Sequence, residues 1–220
     1  MINLILLLSF IYFNSQQNMH QKVLFFGDSI TELGVKEKGY IALMNNRLSK
    51  TKQSEKYQLI GSGIGGNKVY DLFFRMEEDV LTKQPDVIVI WIGVNDVWHK
   101  SMFGTGTDLN KFESMYTDII QRLQKTGTKV YCCTPACIGE KTDHSNAQDG
   151  DLNEFSKVIR KIAAANNAGL IDFRKTFLEY NLKHNTDNKY QDILTYDGVH
   201  LNDVGNQLVA DMMWDAMIGK

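Results

Sequence analysis

One segment restricts the folds open to this chain more than any other. Residues 86–92 (DVIVIWI) are apolar at every position after the aspartate and rich in β-branched side chains. A strand that is apolar on both faces belongs inside a parallel sheet that is covered on both sides. The segment therefore predicts a central strand with helices packed above and below it.

Segments of two kinds alternate along the chain. Some are short apolar runs typical of strands, and in others apolar residues recur at three- and four-residue steps, as in amphipathic helices. The predicted strands are residues 23–26, 57–60, 86–92, 129–133 and 169–173, and the predicted helices are residues 40–48, 69–81, 112–123, 152–162 and 202–213. The alternation indicates the α/β class, with a central five-stranded parallel sheet and helices on both faces.

Size and charge set broad limits on organisation and partners. The length of 220 residues suits one domain with a complete hydrophobic core. With 24 basic and 26 acidic residues, the chain has no excess charge that would indicate nucleic acid or an anionic membrane as a partner. We expect a single domain over residues 22–220 that binds no nucleic acid.

The first 18 residues differ from the rest. Residues 4–13 form an almost unbroken apolar run of signal-peptide length, too short to span a bilayer comfortably, and polar residues follow. We expect residues 1–18 to be a signal peptide and leader, and the mature protein to be periplasmic or secreted, without stable membrane insertion. No Lys or Arg precedes the run, and Phe13 fits poorly before a cleavage site after Ser15, so an uncleaved anchor or a core strand is the alternative.

The cysteines give no indication of a metal or redox site. Cys132, Cys133 and Cys137 lie within six residues, and an odd number cannot form a complete disulfide framework. The vicinal pair falls in a strand-like run, where neighbouring side chains point to opposite faces. No Cys-x-x-Cys motif occurs. We therefore predict buried thiols, and no metal or cofactor.

Polar turns follow three of the predicted strands. Ser29 comes after the first strand, Gly66 and Asn67 after the second, and Asn95 and Asp96 after the third. In a parallel sheet these strand ends share one edge, where ligands bind. Ser29 itself fits a helix cap, a turn or a nucleophile, and the local sequence does not choose among them.

A serine nucleophile needs a base, usually a histidine that a carboxylate orients. Of the histidines, only His99 and His200 follow an aspartate by three residues; the others are His20, His144 and His184. His200 is the better candidate because Gly198 allows a tight turn and a capped helix follows. For His99 the alternative is a surface or packing histidine beside Trp98.

Attack on a carbonyl also requires donors for the developing oxyanion. The backbone N–H groups of Ser29 and Gly66 and the carboxamide of Asn95 are suitable donors. Each residue alone also fits a plain turn or a cap. Their placement after successive strands favours a shared site.

Four segments together resemble the SGNH or GDSL family of serine esterases and lipases. They are residues 27–31 (GDSIT), 63–66 (GIGG), 93–96 (GVND) and 197–200 (DGVH), in the family's order. The resemblance spans residues 23–218 and implies a flavodoxin-like three-layer α/β/α sandwich. It also implies Ser29 as nucleophile, His200 as general base and Asp197 as its orienting carboxylate, with Ser29, Gly66 and Asn95 forming the oxyanion hole.

The chain departs from the family pattern at two positions. The second block of the family often opens with an asparagine, where this chain has Gly61, and often has an aspartate after its last glycine, where this chain has Asn67. Neither change removes a catalytic group. The resemblance implies a metal-independent hydrolase of short-chain or acetyl esters, with small molecules or carbohydrates as substrates.

Other functions remain open at this stage. Within the family they include lysophospholipase or thioesterase activity on lipid acyl groups, and outside catalysis a silent carbohydrate-binding module. Gly61, Gly63 and Gly66 also match Gly-x-Gly-x-x-Gly, which is found in nucleotide-binding domains. That motif follows the second strand rather than the first, and no acidic residue ends the next strand about 20 residues on, so its context is wrong.

Overall fold

Five parallel strands form the sheet in this computed structural model, which describes residues 20–219. They are β1 (Gln21–Gly27), β2 (Tyr57–Gly63), β3 (Val87–Trp91), β4 (Lys129–Cys133) and β5 (Gly169–Ile171), and their order is β2-β1-β3-β4-β5. This is the flavodoxin-like order. The predicted α/β class and parallel sheet are confirmed, and β3 is central and buried along its whole length, as its composition predicts.

The order of the strands places helices on both faces. The connection from β1 to β2 runs in one direction along the sheet and the later connections run in the other, so right-handed crossovers put their helices on opposite sides. Packing between helices agrees, because helix Tyr40–Lys50 contacts helix Asp203–Met217. Separately, helix Leu109–Lys125 contacts both Val69–Asp79 and Asp149–Ala165. The helices are α1 (Ser29–Gly34), α2 (Tyr40–Lys50), α3 (Val69–Asp79), α4 (Val94–Phe103), α5 (Leu109–Lys125), α6 (Asp149–Ala165), α7 (Phe173–His184) and α8 (Asp203–Met217).

Three helices were not predicted from the apolar pattern. Helix α1 is too short for a periodic pattern, and its N-cap is Asp28, whose carboxylate accepts the Ile30 N–H. Residues 93–96, expected to form a polar turn, instead lead into the first turn of α4. Helix α7 buries the polar side chains of Arg174 and Asn181 among its few apolar contacts, so its apolar stripe is weak.

The remaining differences are at element ends. Strand β5 stops at Ile171 rather than residue 173, because Asp172 caps α7 through the Lys175 N–H. Helix α3 stops at Asp79, and a 3₁₀ turn follows at Leu81–Lys83.

The core is continuous around the sheet, and the cysteines belong to it. Residues 23–26 of β1 are at most 1% exposed. Cys132, Cys133 and Cys137 are free and buried, as predicted. Among residues 20–219, no helix has the length and apolar character needed to cross a bilayer. The expected signal peptide at residues 1–18 lies outside the described residues.

Candidate active site

Ser29 stands where β1 gives way to α1. The side chain of Asp28 holds the Ile30 N–H at 3.0 Å, which fixes the first turn of the helix around the serine. Ser29 is half-buried, and its Oγ lies 2.9 Å from Nε2 of His200. The two residues come from opposite ends of the chain, and this contact joins them at the carboxyl edge of the sheet.

Asp197 orients the imidazole of His200 from the other side. Its Oδ2 lies 2.7 Å from His200 Nδ1, and its Oδ1 accepts the N–H groups of Val199 at 2.9 Å and His200 at 2.8 Å. The turn that allows this return passes through Gly198, whose φ of +91° suits glycine. A side chain there would also meet the ring of Tyr190.

These contacts determine the charge of Asp197 and the tautomer of His200. Burial disfavours the charged form of Asp197, but the hydrogen bonds from His200 and Val199 outweigh it and lower the pKa of the carboxyl below its usual value. An ionised Asp197 accepts only, so Nδ1 of His200 carries the proton that it binds. The lone pair of Nε2 is then directed at the Ser29 hydroxyl, as a general base requires.

The loop after β2, in which Gly65 lies near the Ser29 side chain, and the start of α4 carry the donors that the sequence predicts for the oxyanion. Gly66 adopts a φ of +76°, and among residues 20–219 its N–H has no acceptor. Asn95 is 3% exposed, and its Nδ2 donates to the Asn67 carbonyl at 3.1 Å; within residues 20–219 no acceptor is paired with the second carboxamide hydrogen. The loop reaches Ser29 because the Ile64 N–H donates to the Gly27 carbonyl at 3.2 Å.

Two charged side chains fix this loop and were not identified from the sequence. Arg75 of α3 donates to Asn67 Oδ1 at 2.7 Å and to the Gly27 carbonyl at 2.8 Å. Buried Lys68 donates through Nζ to the Gly66 carbonyl at 3.2 Å. In the sequence, Arg75 is an ordinary charged residue of an amphipathic helix. No sequence motif marks Arg75 or Lys68.

Both departures from the family pattern fit their surroundings. Asn67 keeps an oxygen that accepts from Arg75, so the hydrogen bond does not need a carboxylate. A side chain at Gly61 would overlap Val35, which fills that space.

Residues 25–208 match the model of the GDSL-like lipase/acylhydrolase family. The chain belongs to this family. Membership makes it a carboxylic ester hydrolase, as the four sequence motifs predict.

Relatives of this GDSL-like hydrolase include esterases with known structures. It is 62% identical to an acetyl xylan esterase, AlAXEase, whose crystal structure superposes with a TM-score of 0.89, covering 90% of this chain and 100% of the other. It is 28% identical to an acetylxylan esterase of Geobacillus stearothermophilus over 86% of this chain and 90% of the relative. An uncharacterized lipoprotein of Bacillus subtilis, YqeF, is 22% identical over 77% of each chain.

His99 does not form the alternative pair that its spacing from Asp96 allows. The carboxylate of Asp96 turns away and accepts the Val69 N–H at 3.2 and 3.3 Å, and burial raises its pKa to about 6. His99 packs beside Trp98 at a ring distance of 6.1 Å. Burial and the charge of Lys68 lower its pKa. In this hydrolase, His99 is therefore a neutral packing residue near Gly66.

Aromatic rings flank the candidate base. Tyr196, which is 50% exposed, stacks on His200 with a ring distance of 5.7 Å and an interplanar angle of 16°. Trp98 meets the same imidazole edge-on at 6.4 Å. No sequence motif marks Tyr196, although it directly precedes Asp197. No group of three or more His, Cys, Asp or Glu in residues 20–219 is arranged to hold a metal ion.

Proposed function

We propose that this chain is an acetyl esterase of carbohydrates, acting on acetylated xylan or its oligosaccharides through an acetyl-serine intermediate on Ser29. The observation that carries the proposal is the hydrogen-bond chain from Asp197 through His200 to Ser29, with distances of 2.7 and 2.9 Å. The acetyl xylan esterase that is 62% identical supports the substrate class. Residues 22–220 act as one hydrolase domain.

The geometry supports a two-step reaction. Ser29 Oγ bonds to the acetyl carbon as its proton passes to Nε2 of His200, and the carbonyl electrons move to oxygen. The N–H groups of Ser29 and Gly66 and the carboxamide of Asn95 stabilise that oxyanion. The bond to the sugar oxygen then breaks, and His200 returns the proton to it. Water then attacks the acetyl-serine carbon as its proton passes to His200, the bond to Ser29 Oγ breaks, and His200 returns the proton to that oxygen, which frees Ser29 and releases the acetyl group as acetic acid.

The aromatic rings beside His200 suit a sugar leaving group. Pyranose rings present flat C–H faces to aromatic side chains, and both Tyr196 and Trp98 contact the imidazole of His200. The exposed half of Tyr196 provides such a surface.

The direct test is hydrolysis of p-nitrophenyl acetate by the Ser29→Ala variant. We expect kcat to fall by at least ~10³-fold with the melting temperature retained, because the nucleophile alone is removed. Labelling of the native protein by a fluorophosphonate, and none of Ser29→Ala, is the companion measurement. Activity that persists in the variant contradicts the assignment.

The substrate class needs a separate experiment. We expect release of acetate from acetylated xylo-oligosaccharides and a fall in kcat/KM along p-nitrophenyl esters from acetate to longer acyl chains. The opposite order, with long acyl esters or acyl thioesters preferred, favours lysophospholipase or thioesterase activity. Binding of xylan without acetate release indicates a silent carbohydrate-binding module.

We also propose that residues 1–18 direct export and are removed. The support is the apolar run at residues 4–13, together with the lipoprotein named among the relatives. N-terminal sequencing of protein recovered outside the cytoplasm should show that the apolar run at residues 4–13 is absent. Retention in the cytoplasm with Met1 in place contradicts this.

A further inference from the structure

The segment that carries Asp197 and His200 has little regular structure of its own. It runs between the end of α7 at His184 and the start of α8 at Asp203, and one isolated bridge, Thr195 with Leu201, closes it. A long connection of this kind is held in one conformation only by contacts from elsewhere. The position of His200 therefore depends on what anchors this segment, which we call the histidine loop (residues 185–202).

A buried carboxylate provides that anchor. Glu140 is 1% exposed. Its Oε1 accepts the N–H groups of Leu194 at 2.7 Å and Thr195 at 2.9 Å, and its Oε2 accepts the Ile193 N–H at 2.9 Å. Consecutive backbone N–H groups converging on one anion form a nest, and charge-assisted hydrogen bonds of this type are strong.

The anchored amides are linked directly to the Asp197 turn. Thr195 Oγ1 accepts the Gly198 N–H at 3.0 Å, and the Gly198 carbonyl accepts the Gly139 N–H at 2.8 Å. The Glu140 N–H also donates to the Tyr190 carbonyl at 2.8 Å. Residues 190 and 193–195 of the histidine loop are thus bound to Glu140, and the Asp197 turn is bound to Gly139 through Gly198.

We propose that Glu140 is a positioning residue that sets the alignment of Asp197 and His200 through the backbone of the histidine loop. The inference rests on the proposed function, in which His200 is the base for Ser29. Glu140 touches neither of these side chains; it holds the amides two to four residues before Asp197. A displacement of about 1 Å at a catalytic group can reduce a rate by roughly 10²-fold.

Glu140→Gln is the sharpest variant. The carboxamide keeps one oxygen for two of the three amides, but its NH₂ group then faces the third N–H, where two donors repel. The side chain keeps its size, so the substitution removes one of the two acceptor oxygens and the charge without opening a cavity.

The test measures kcat and KM for p-nitrophenyl acetate, the melting temperature, and the downfield proton NMR resonance of His200 Nδ1–H bound to Asp197. We expect kcat of Glu140→Gln to fall by ~10- to 100-fold with KM nearly unchanged, and the resonance to broaden or move. The matched control is Asp172→Asn, since Asp172 also accepts a backbone N–H, from Lys175 at 3.2 Å, but caps α7 away from the histidine loop. Its kcat and resonance should match the native protein.

Each outcome decides the proposal. A native kcat and resonance in Glu140→Gln overturn it, as do equal losses in both variants that follow the melting temperature. If Glu140→Gln does not fold, Thr195→Val replaces it, because that change removes the acceptor for the Gly198 N–H, which links the amides bound by Glu140 to the Asp197 turn; a native kcat and resonance there overturn the proposal. If the native protein hydrolyses no ester, the proposed function fails, and the resonance still tests whether Glu140 sets the His200–Asp197 contact.

Discussion

The pKa values of single residues at this site depend on burial as much as on hydrogen bonding. Asp28 and Asp197 are both aspartates beside Ser29 or His200, yet their pKa values move in opposite directions. Asp28 is buried, which raises its pKa to about 7, whereas Asp197 is stabilised in its charged form by three hydrogen bonds. Sequence motifs identify both residues but do not reveal this difference, because it depends on solvent access.

Asn95→Ala tests the oxyanion donors. The carboxamide is expected to donate its free hydrogen to the transition state, so its loss should reduce kcat for p-nitrophenyl acetate by ~10²- to 10³-fold with little change in KM. The control is Asn45→Ala, an exposed asparagine on α2 that should leave the kinetics unchanged. A native rate in Asn95→Ala removes Asn95 from the oxyanion hole.

Asp28→Asn tests the buried carboxyl through stability. Because the pKa is about 7 in the folded state against 3.8 in the unfolded state, the folded state binds more protons between these values, and stability falls as pH rises through this window. Asparagine keeps the oxygen that caps α1 and carries no charge. The variant should gain stability over the native protein at pH 8, on the order of a few kcal/mol, and little at pH 4. Melting curves at both pH values measure this, and an equal shift at both contradicts it.

Between elements, Arg75 is the main connection at the site. Its guanidinium binds the end of β1 at Gly27, Ser62 in β2, and Asn67 in the loop after β2, and it pairs with Asp79 at 2.6 Å. It also lies over the Phe26 ring at 4.4 Å. Three elements and the loop are thus held in register by one side chain that is planar and has five donors.

Arg75→Lys should show how much this connection contributes. Lysine has three donors and no planar fork, so it cannot satisfy the same acceptors. We expect a loss of about 2–3 kcal/mol in the free energy of unfolding and a fall of roughly 10-fold in kcat/KM. Arg122→Lys is the control, because Arg122 is partly exposed, pairs with Glu77 at 3.5 Å and lies over the Phe73 ring at a long 5.7 Å. Equal effects of the two substitutions contradict a special role for Arg75.

Elements with a strong apolar pattern were predictable, and those fixed by polar contacts were not. The five strands follow from runs of apolar residues, and α5 and α6 follow from stripes that bury one face. Helices α1, α4 and α7 instead follow directly from strand ends at Ser29, Gly93 and Asp172, where a cap or the next turn decides the structure. Glu140, Lys68 and Arg75 were missed for the same reason, because their partners are defined only once the chain is folded.

At the level of the whole molecule, the strand order explains how distant motifs meet. Strand β1 lies between β2 and β3, so the segments after these three strands are neighbours at one edge. The histidine loop comes from the far end of the chain and reaches the same edge before α8, which packs on α2. The order of the strands predicts the shared edge, whereas His200 was found from its spacing to Asp197, the turn at Gly198 and the family motif rather than from the strands.

Removal of the first 19 residues tests whether the domain is complete without them. Strand β1 begins at Gln21, and the hydrogen-bond chain from Asp197 to Ser29 lies within residues 20–219. A protein beginning at His20 should keep the kcat/KM of the full chain for p-nitrophenyl acetate within about twofold, since no residue of the proposed machinery is lost. Aggregation or loss of the cooperative melting transition contradicts a domain at residues 22–220.

The buried cysteines can report local opening of the fold, because a thiol reacts only when it becomes exposed. Burial raises the pKa of Cys132 to about 12, and it raises the pKa of the Cys133 and Cys137 thiols as well, so none reacts readily while the fold is closed. Cys132 and Cys133 lie in β4, whereas Cys137 Sγ approaches the Gly198 carbonyl at 3.5 Å. The rate of thiol modification at each cysteine can be measured by peptide mass. Modification of Cys137 therefore reports release of the histidine loop, and modification of Cys132 and Cys133 reports opening of the sheet.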